Sequence, residues 1–287
     1  MRVPRKKTNK RSSIKGALLL LIALLTSGSV YAWTSYTDWK KNHLQSDIEK
    51  VPSIVIQGNF NKYEPTKSDV LMLNQQYDKQ VTVLNNGETA VFIRVSVQEH
   101  FLPFVIDTKD KTGNGHIKKF KELGNKGEIH KQDVETWREG ARLAETDKIY
   151  IEGLKPHHYE VKLDNKKRPR EMEAIQLTWG RINPLEATDD SYWLYEENLK
   201  DGKGYYFYAK PLLPNETTEV LLKDMSVRGD APNAYKGALH QFNIEADAGV
   251  IDKGVFPDWN IPETTDNKVY QQFIQAINAK NEEVAIK

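Results

Sequence analysis

The clearest strand signal in this chain is the stretch at residues 90–98, Ala-Val-Phe-Ile-Arg-Val-Ser-Val-Gln. Val91, Ile93, Val95 and Val97 alternate with residues that are mostly polar. Because successive side chains of a strand point to opposite faces, this pattern predicts one aliphatic, buried face and one largely polar face. Such a half-buried strand is typical of an antiparallel sheet.

The residues before this stretch predict its partner. Residues 80–85 form another β-branched run, and the Asn86-Gly87 pair that follows is typical of hairpin turns with positive φ. We therefore predict that residues 80–85 and 90–98 form a β-hairpin.

Strand signals recur along the rest of the chain, with turn residues between them, and this spacing predicts an antiparallel β-sandwich. The further predicted strands are residues 53–58, 159–163, 174–179, 192–195, 205–210, 220–222 and 239–246. Residues 265–281 predict a C-terminal helix with an apolar stripe formed by Val269, Phe273, Ile274 and Ile277.

Residues 104–173 differ from their surroundings, because they are dense in charge of both signs and poor in aliphatic side chains. We interpret them as a charged helix and loop insertion. Residues 132–144 predict its helix, although Gly140 lies in the middle, and residues 159–163 predict a solvent-facing strand. The basic loop contains Lys166, Lys167, Arg168 and Arg170. It is either a solvated loop or an anion-binding patch for wall polymers.

The N-terminus has the order of a secretory signal peptide. Seven basic residues without an acid precede an apolar run at residues 17–25 and a small, polar segment at 26–32. Val30 at −3 and Ala32 at −1 suit a signal peptidase, so we predict cleavage after Ala32. The apolar run is about half the roughly 20 residues of a membrane-spanning helix. The alternative is an uncleaved signal anchor.

Composition narrows the class of protein. The chain has no cysteine, so its fold depends on a packed core rather than disulfides. It has 41 basic and 40 acidic residues, and loss of the seven leader basics leaves 34 against 40, a charge of about −6. This excess of acid argues against a nucleic-acid partner. Neither a second long apolar run nor a C-terminal sorting signal is found, so we expect no membrane span after cleavage.

The predicted mature chain begins with aromatic side chains at Trp33, Tyr36 and Trp39. In an extended segment, Trp33 and Trp39 share one face. Such apolar surface at a free terminus needs a partner. That partner is either the protein's own core or a second copy of the chain.

Catalytic motifs are missing from the sequence. The seven histidines contain no His-Glu-x-x-His spacing, a cysteine nucleophile is impossible, and no Gly-x-Ser-x-Gly occurs. We therefore expect no enzyme activity, no cofactor and no metal. The aromatic residues between 192 and 208 either stack on sugars or fill the core.

Several short motifs resemble one family. The junction at residues 28–38 is similar to the leaders that a SipW-type signal peptidase processes. Residues 85–95 resemble an "Asn-x-Gly, then Val/Ile-Arg-Val" strand. Residues 201–208 and 213–218 resemble an aromatic strand followed by Leu-x-Pro-Gly-Glu-x-Thr, with Asn215 in place of glycine. On these motifs the chain resembles the TasA/camelysin family of exported Gram-positive proteins. Residues 104–173 lie outside the resemblance.

The resemblance implies a jelly-roll-like sandwich and a place in extracellular fibres of a biofilm matrix. It also implies a peptidase label that no motif here supports. The predicted organisation is a signal peptide (1–32), an N-terminal segment (33–52), a sandwich (53–260) and a C-terminal helix and tail (261–287).

We accordingly expect a secreted, non-catalytic structural protein of the cell surface or matrix. Its predicted partners are signal peptidase, wall or matrix components, and other copies joined head to tail through residues 33–39. The alternatives are a secreted camelysin-like metallopeptidase and a wall-binding adhesin.

Overall fold

Strands dominate the computed structural model, which describes residues 52–59, 71–109, 116–120, 127–143, 150–164, 167–186, 189–197 and 203–285. In chain order, the strands are β1 (Ile54–Gln57), β2 (Gln76–Asn85), β3 (Val91–Leu102), β4 (Lys119–Phe120), β5 (Glu128–Ile129), β6 (Arg142–Leu143), β7 (Tyr150–Glu152), β8 (His157–Glu160), β9 (Ile175–Trp179), β10 (Trp193–Glu197), β11 (Gly204–Tyr208), β12 (Leu222–Val227) and β13 (Leu239–Val250). The helices are α1 (Val255–Asp258) and α2 (Lys268–Ala285), with 3-10 helices at Val134–Thr136, Arg170–Met172 and Asn233–Tyr235.

Two antiparallel sheets face each other across the main core. The front sheet has the order β1-β2-β12-β9, and the central sheet has the order β10-β11-β3-β13, with β8 also paired to β3. Inward side chains such as Tyr77, Val95, Tyr206, Met225 and Phe242 pack together between them. The chain crosses repeatedly from one sheet to the other, as in a jelly roll. The predicted mainly-β, jelly-roll-like sandwich is confirmed.

The predicted hairpin is wrong, because β2 lies in the front sheet and β3 lies in the central sheet. Neither Asn86 nor Gly87 has a positive φ. Instead, the buried Asn85 amide donates to the carbonyl oxygens of Thr89 (2.8 Å) and Leu212 (2.9 Å). These bonds hold a corner that turns the chain from one sheet into the other.

Both faces of β3 are buried, although the sequence predicts a half-buried strand. Its aliphatic residues face the main core, and Phe92 on the other face stacks on Phe273 of α2, with ring centroids 3.9 Å apart. The predicted terminal helix is confirmed as α2, and Val269, Phe273 and Ile277 of its stripe are buried. The helix therefore covers the central sheet as a third layer.

The insertion contains a small sheet of its own, with the order β4-β7-β6-β5, around a core that includes Phe104, Ile129 and Trp137. The predicted helix at 132–144 is wrong. A single 3-10 turn forms at Val134–Thr136, and Gly140 then takes a φ of +70° before β6. The prediction of a solvent-facing strand at 159–163 is also wrong, because Tyr159 and Val161 are buried.

The aromatic strand β11 is buried on both faces. Tyr206 and Tyr208 enter the main core, while Tyr205 and Phe207 pack towards the helical layer. For this strand the core interpretation is right and the sugar-stacking alternative is wrong. Asn215 stands where the motif Leu-x-Pro-Gly-Glu-x-Thr has glycine. Its φ is +62°, a value that asparagine tolerates better than most residues.

Candidate functional site

One long edge of the central sheet is the best-defined candidate for binding another chain. Val91 and Val97 of β3 bond to Leu212 and Val161, on the side away from β13. Backbone groups of an antiparallel strand alternate in direction, so the even-numbered residues of β3 are the ones that bond to β13. The odd-numbered residues of β13 lie opposite them and accept and donate these bonds. The even-numbered residues of β13 therefore point their N–H and C=O groups to its outer edge. Within the described ranges, no strand pairs with that edge between Ile244 and Val250. We call these seven residues the open edge.

Side chains at the open edge combine apolar and acidic character. Ala246 and Ala248 point towards the core and are only partly buried, as is Ile56 of the nearby β1. On the other face Glu245 and Asp247 are exposed, and Asp247 pairs with Arg94 at 2.5 Å. Acidic residues on an edge strand discourage indiscriminate pairing. The edge therefore offers main-chain bonds and apolar contacts to a partner strand that fits.

The residues predicted for cleavage and assembly, Val30, Ala32, Trp33, Tyr36 and Trp39, lie outside the described residues. Cleavage after Ala32 and assembly through Trp33, Tyr36 and Trp39 therefore stay predictions.

The basic loop does not present the four cations that the sequence suggests. Lys166 lies outside the described residues, and Lys167 donates to Glu197 at 2.7 Å. Arg170 is exposed. Arg168 is buried inside the protein, so it does not belong to an exposed anion-binding patch.

Arg168 instead neutralises a carboxylate in the main core. Its Nη2 donates to Glu99, whose side chain is fully buried, at 2.5 Å. His240 contributes a second contact, from Nε2 to the other Glu99 oxygen at 2.7 Å. Burial opposes ionisation of Glu99, but the Arg168 charge and these bonds hold its pKa below the usual value. Burial lowers the pKa of His240. This direction favours the neutral imidazole, and since an ionised carboxylate can only accept, Nε2 is the donor in the contact with Glu99.

Lys79 is a further buried cation at this end of the core. Its Nζ lies 5.9 Å from the Tyr77 ring centroid and 5.8 Å from that of Phe242, and it donates to the Asn59 carbonyl at 3.4 Å. Burial lowers the pKa of Lys79 to about 8. Its charge also lowers the pKa of His240, so the two groups belong to one electrostatic cluster.

The outer face of the central sheet carries a pair of imidazoles. His100 of β3 lies opposite His158 of β8, and their Nδ1 atoms are 2.6 Å apart. Burial and the neighbouring imidazole lower the pKa of His100 to about 4. In the part of the chain that the structure describes, no group of three or more His, Asp or Glu side chains is placed to hold a metal ion.

Sequence reasoning missed the Glu99 cluster and the histidine pair, because their members are far apart along the chain. One signal was available for Glu99. Val95, Val97 and Phe101 face the core, so strand alternation also places Glu99 there. A carboxylate on a buried face requires a buried partner.

None of the helices in the described ranges has the length and apolar character needed to cross a membrane. No protein-family model, curated protein or solved structure matches this chain.

Proposed function

We propose that the protein is a secreted, non-catalytic building block of an extracellular fibre in the surface matrix of a Gram-positive bacterium. The TasA/camelysin resemblance suggests this role. The observation that carries the assembly mode is the open edge of β13, which lacks a partner strand among the described residues. In this proposal, the N-terminal segment of one copy adds to the open edge of the next copy.

The two parts match in length. Residues 33–39 and the open edge both have seven residues, which span about 20 Å in an extended strand at ~3.3 Å per residue. The outward N–H and C=O groups at Ile244, Ala246 and Ala248 then bond to the incoming strand, as in other cases of strand addition. Burial of Trp33 and Trp39, at ~25 cal/mol per Å² over roughly 150–250 Å² each, contributes several kcal/mol before ordering costs.

Removal of the signal peptide determines when assembly can begin. Cleavage after Ala32 frees the segment only outside the cell, so assembly waits for export. A head-to-tail contact of this kind continues into a filament unless its rotation closes a ring.

The test compares the chain that starts at Trp33 with one that starts at Lys40, by light scattering and electron microscopy. We expect fibres from the first and monomers from the second. Fibres of the same form from both chains, or a Trp33 chain that stays monomeric at high concentration, contradict the proposal.

A matched pair of substitutions tests the edge itself. Ala246→Pro removes an outward N–H without breaking the ladder to β3, whereas Ala246→Val keeps that donor. We expect the proline variant alone to lose fibres. Equal assembly by both variants excludes this edge as the acceptor.

A further inference from the structure

The short strand β8 brings two histidines to the same place on the outer face of the central sheet. It is the return strand of the insertion, and it pairs with β3 through four residues. Val161 donates to Val97, so odd-numbered residues of β3 bond to this neighbour. His100 and His158 therefore form a non-hydrogen-bonded pair, the kind in which facing side chains come closest.

The two rings converge through the same atom. The Nδ1 atoms are 2.6 Å apart and the ring planes meet at 70°. His158 is exposed, which leaves the pair open to solvent on one side. Beside it on the same face, Glu160 accepts a hydrogen bond from Gln98.

We propose that His100 and His158 bind a divalent transition-metal ion of the Zn²⁺ or Cu²⁺ class through their Nδ1 atoms. Imidazole nitrogen suits both ions. Tetrahedral Zn²⁺ with bonds of about 2.05 Å holds two nitrogens about 3.3 Å apart, so the two Nδ1 atoms need to separate by about 0.7 Å. The exposed His158 side chain can make this shift.

Water completes the coordination shell around the two imidazoles, because the described residues bring no group of three or more His, Asp or Glu side chains together to hold a metal. The role of the ion is structural. It ties the return strand of the insertion to the strand that carries Glu99, so it binds the native state and stabilises it. Metal binding by this histidine pair does not depend on fibre formation.

The test is calorimetric titration of the Trp33 chain with Zn²⁺ and, separately, with Cu²⁺, together with thermal unfolding with and without each ion. His158→Gln removes one ligand at an exposed position. His157→Gln is the matched control, because His157 is the neighbouring residue on the opposite face, near Phe101.

We expect one ion per chain, binding at least tenfold weaker in His158→Gln and within twofold of wild type in His157→Gln. The Cu²⁺ complex should show two coordinated nitrogens by electron paramagnetic resonance. Equal unfolding temperatures of the three proteins without metal establish that the variants fold. Binding that is unchanged in His158→Gln, or no binding by the wild-type chain, overturns the proposal.

Discussion

Substitution of Arg168 by methionine distinguishes a core ion pair from a surface cation. Met keeps most of the length of the arginine stem, so the change removes the guanidinium with little loss of packing volume. The Arg168 and Glu99 side chains are 3% and 0% exposed. Removal of one partner of a buried ion pair typically costs 3–5 kcal/mol, since the other charge is left uncompensated.

His240 limits that cost in the variant. Its imidazole already contacts Glu99, and it can take up a proton and neutralise the carboxylate once the guanidinium is gone. We therefore expect Arg168→Met to lower the free energy of unfolding by about 3 kcal/mol, at the lower end of that range. The double variant Glu99→Gln/Arg168→Met should regain part of this loss, because it no longer buries an unpaired charge.

The assay is urea unfolding of the Trp33 chain at pH 7, followed by tryptophan fluorescence. Arg170→Met is the control, because Arg170 is exposed and only two residues away. Surface substitutions usually change stability by less than about 0.5 kcal/mol. If Arg168→Met and Arg170→Met give the same free energy of unfolding, Arg168 is not the buried partner of Glu99 and this account of the core is wrong.

Two further predictions concern the cores. Burial holds the pKa of Lys79 near 8 in the folded state, below its usual 10.5. Below pH 8 the folded state therefore carries the full cost of burying the ammonium. As pH rises from about 8 towards 10.5, the folded protein loses this proton before the unfolded chain does. The free energy of unfolding therefore rises by about 3 kcal/mol over this range, at 1.36 kcal/mol per pKa unit. Urea unfolding across this range should show that rise in the wild type and not in Lys79→Met, and parallel curves for the two proteins would refute it. Phe273→Ala removes the ring that stacks on Phe92 and should cost about 3–5 kcal/mol in the same assay, whereas a cost under 1 kcal/mol would mean that α2 is not a packed layer.

Elements whose pattern is local could be predicted from the sequence. The alternation in β3 and β13 and the apolar stripe of α2 are each contained in one short segment. Each signal reports which side of its own element is apolar. It does not report what covers that side, so the pattern of β3 predicts a half-buried strand although α2 lies over its second face.

Features that depend on distant partners could not be predicted. The turn after β2 looks like a hairpin turn, but Asn85 bonds to Leu212, which is 127 residues away, and the chain crosses between the sheets. Arg168 and His240 lie 69 and 141 residues from Glu99. The basic residues around Arg168 resemble a solvated loop in the sequence, and only the fold separates the buried Arg168 from the exposed Lys167 and Arg170.

Cysteine cross-linking reports whether residues 33–39 of one copy pair with the open edge of the next. The chain has no cysteine, so any disulfide comes from the introduced pair. One protein carries Thr34→Cys, with Tyr36→Cys and Asp38→Cys as alternative registers, because these residues lie on the strand face opposite Trp33 and Trp39. The second carries Glu245→Cys, which is exposed on the matching face of β13. A third protein, with Gln176→Cys on the edge strand β9 of the other sheet, is the control.

A disulfide requires Cα atoms within about 7 Å, so only paired segments cross-link efficiently. We predict that mild oxidation of mixed subunits joins an N-terminal cysteine to Glu245→Cys and not to Gln176→Cys. Cross-linking to neither protein at any of the three N-terminal positions, or to both equally, contradicts the proposed assembly.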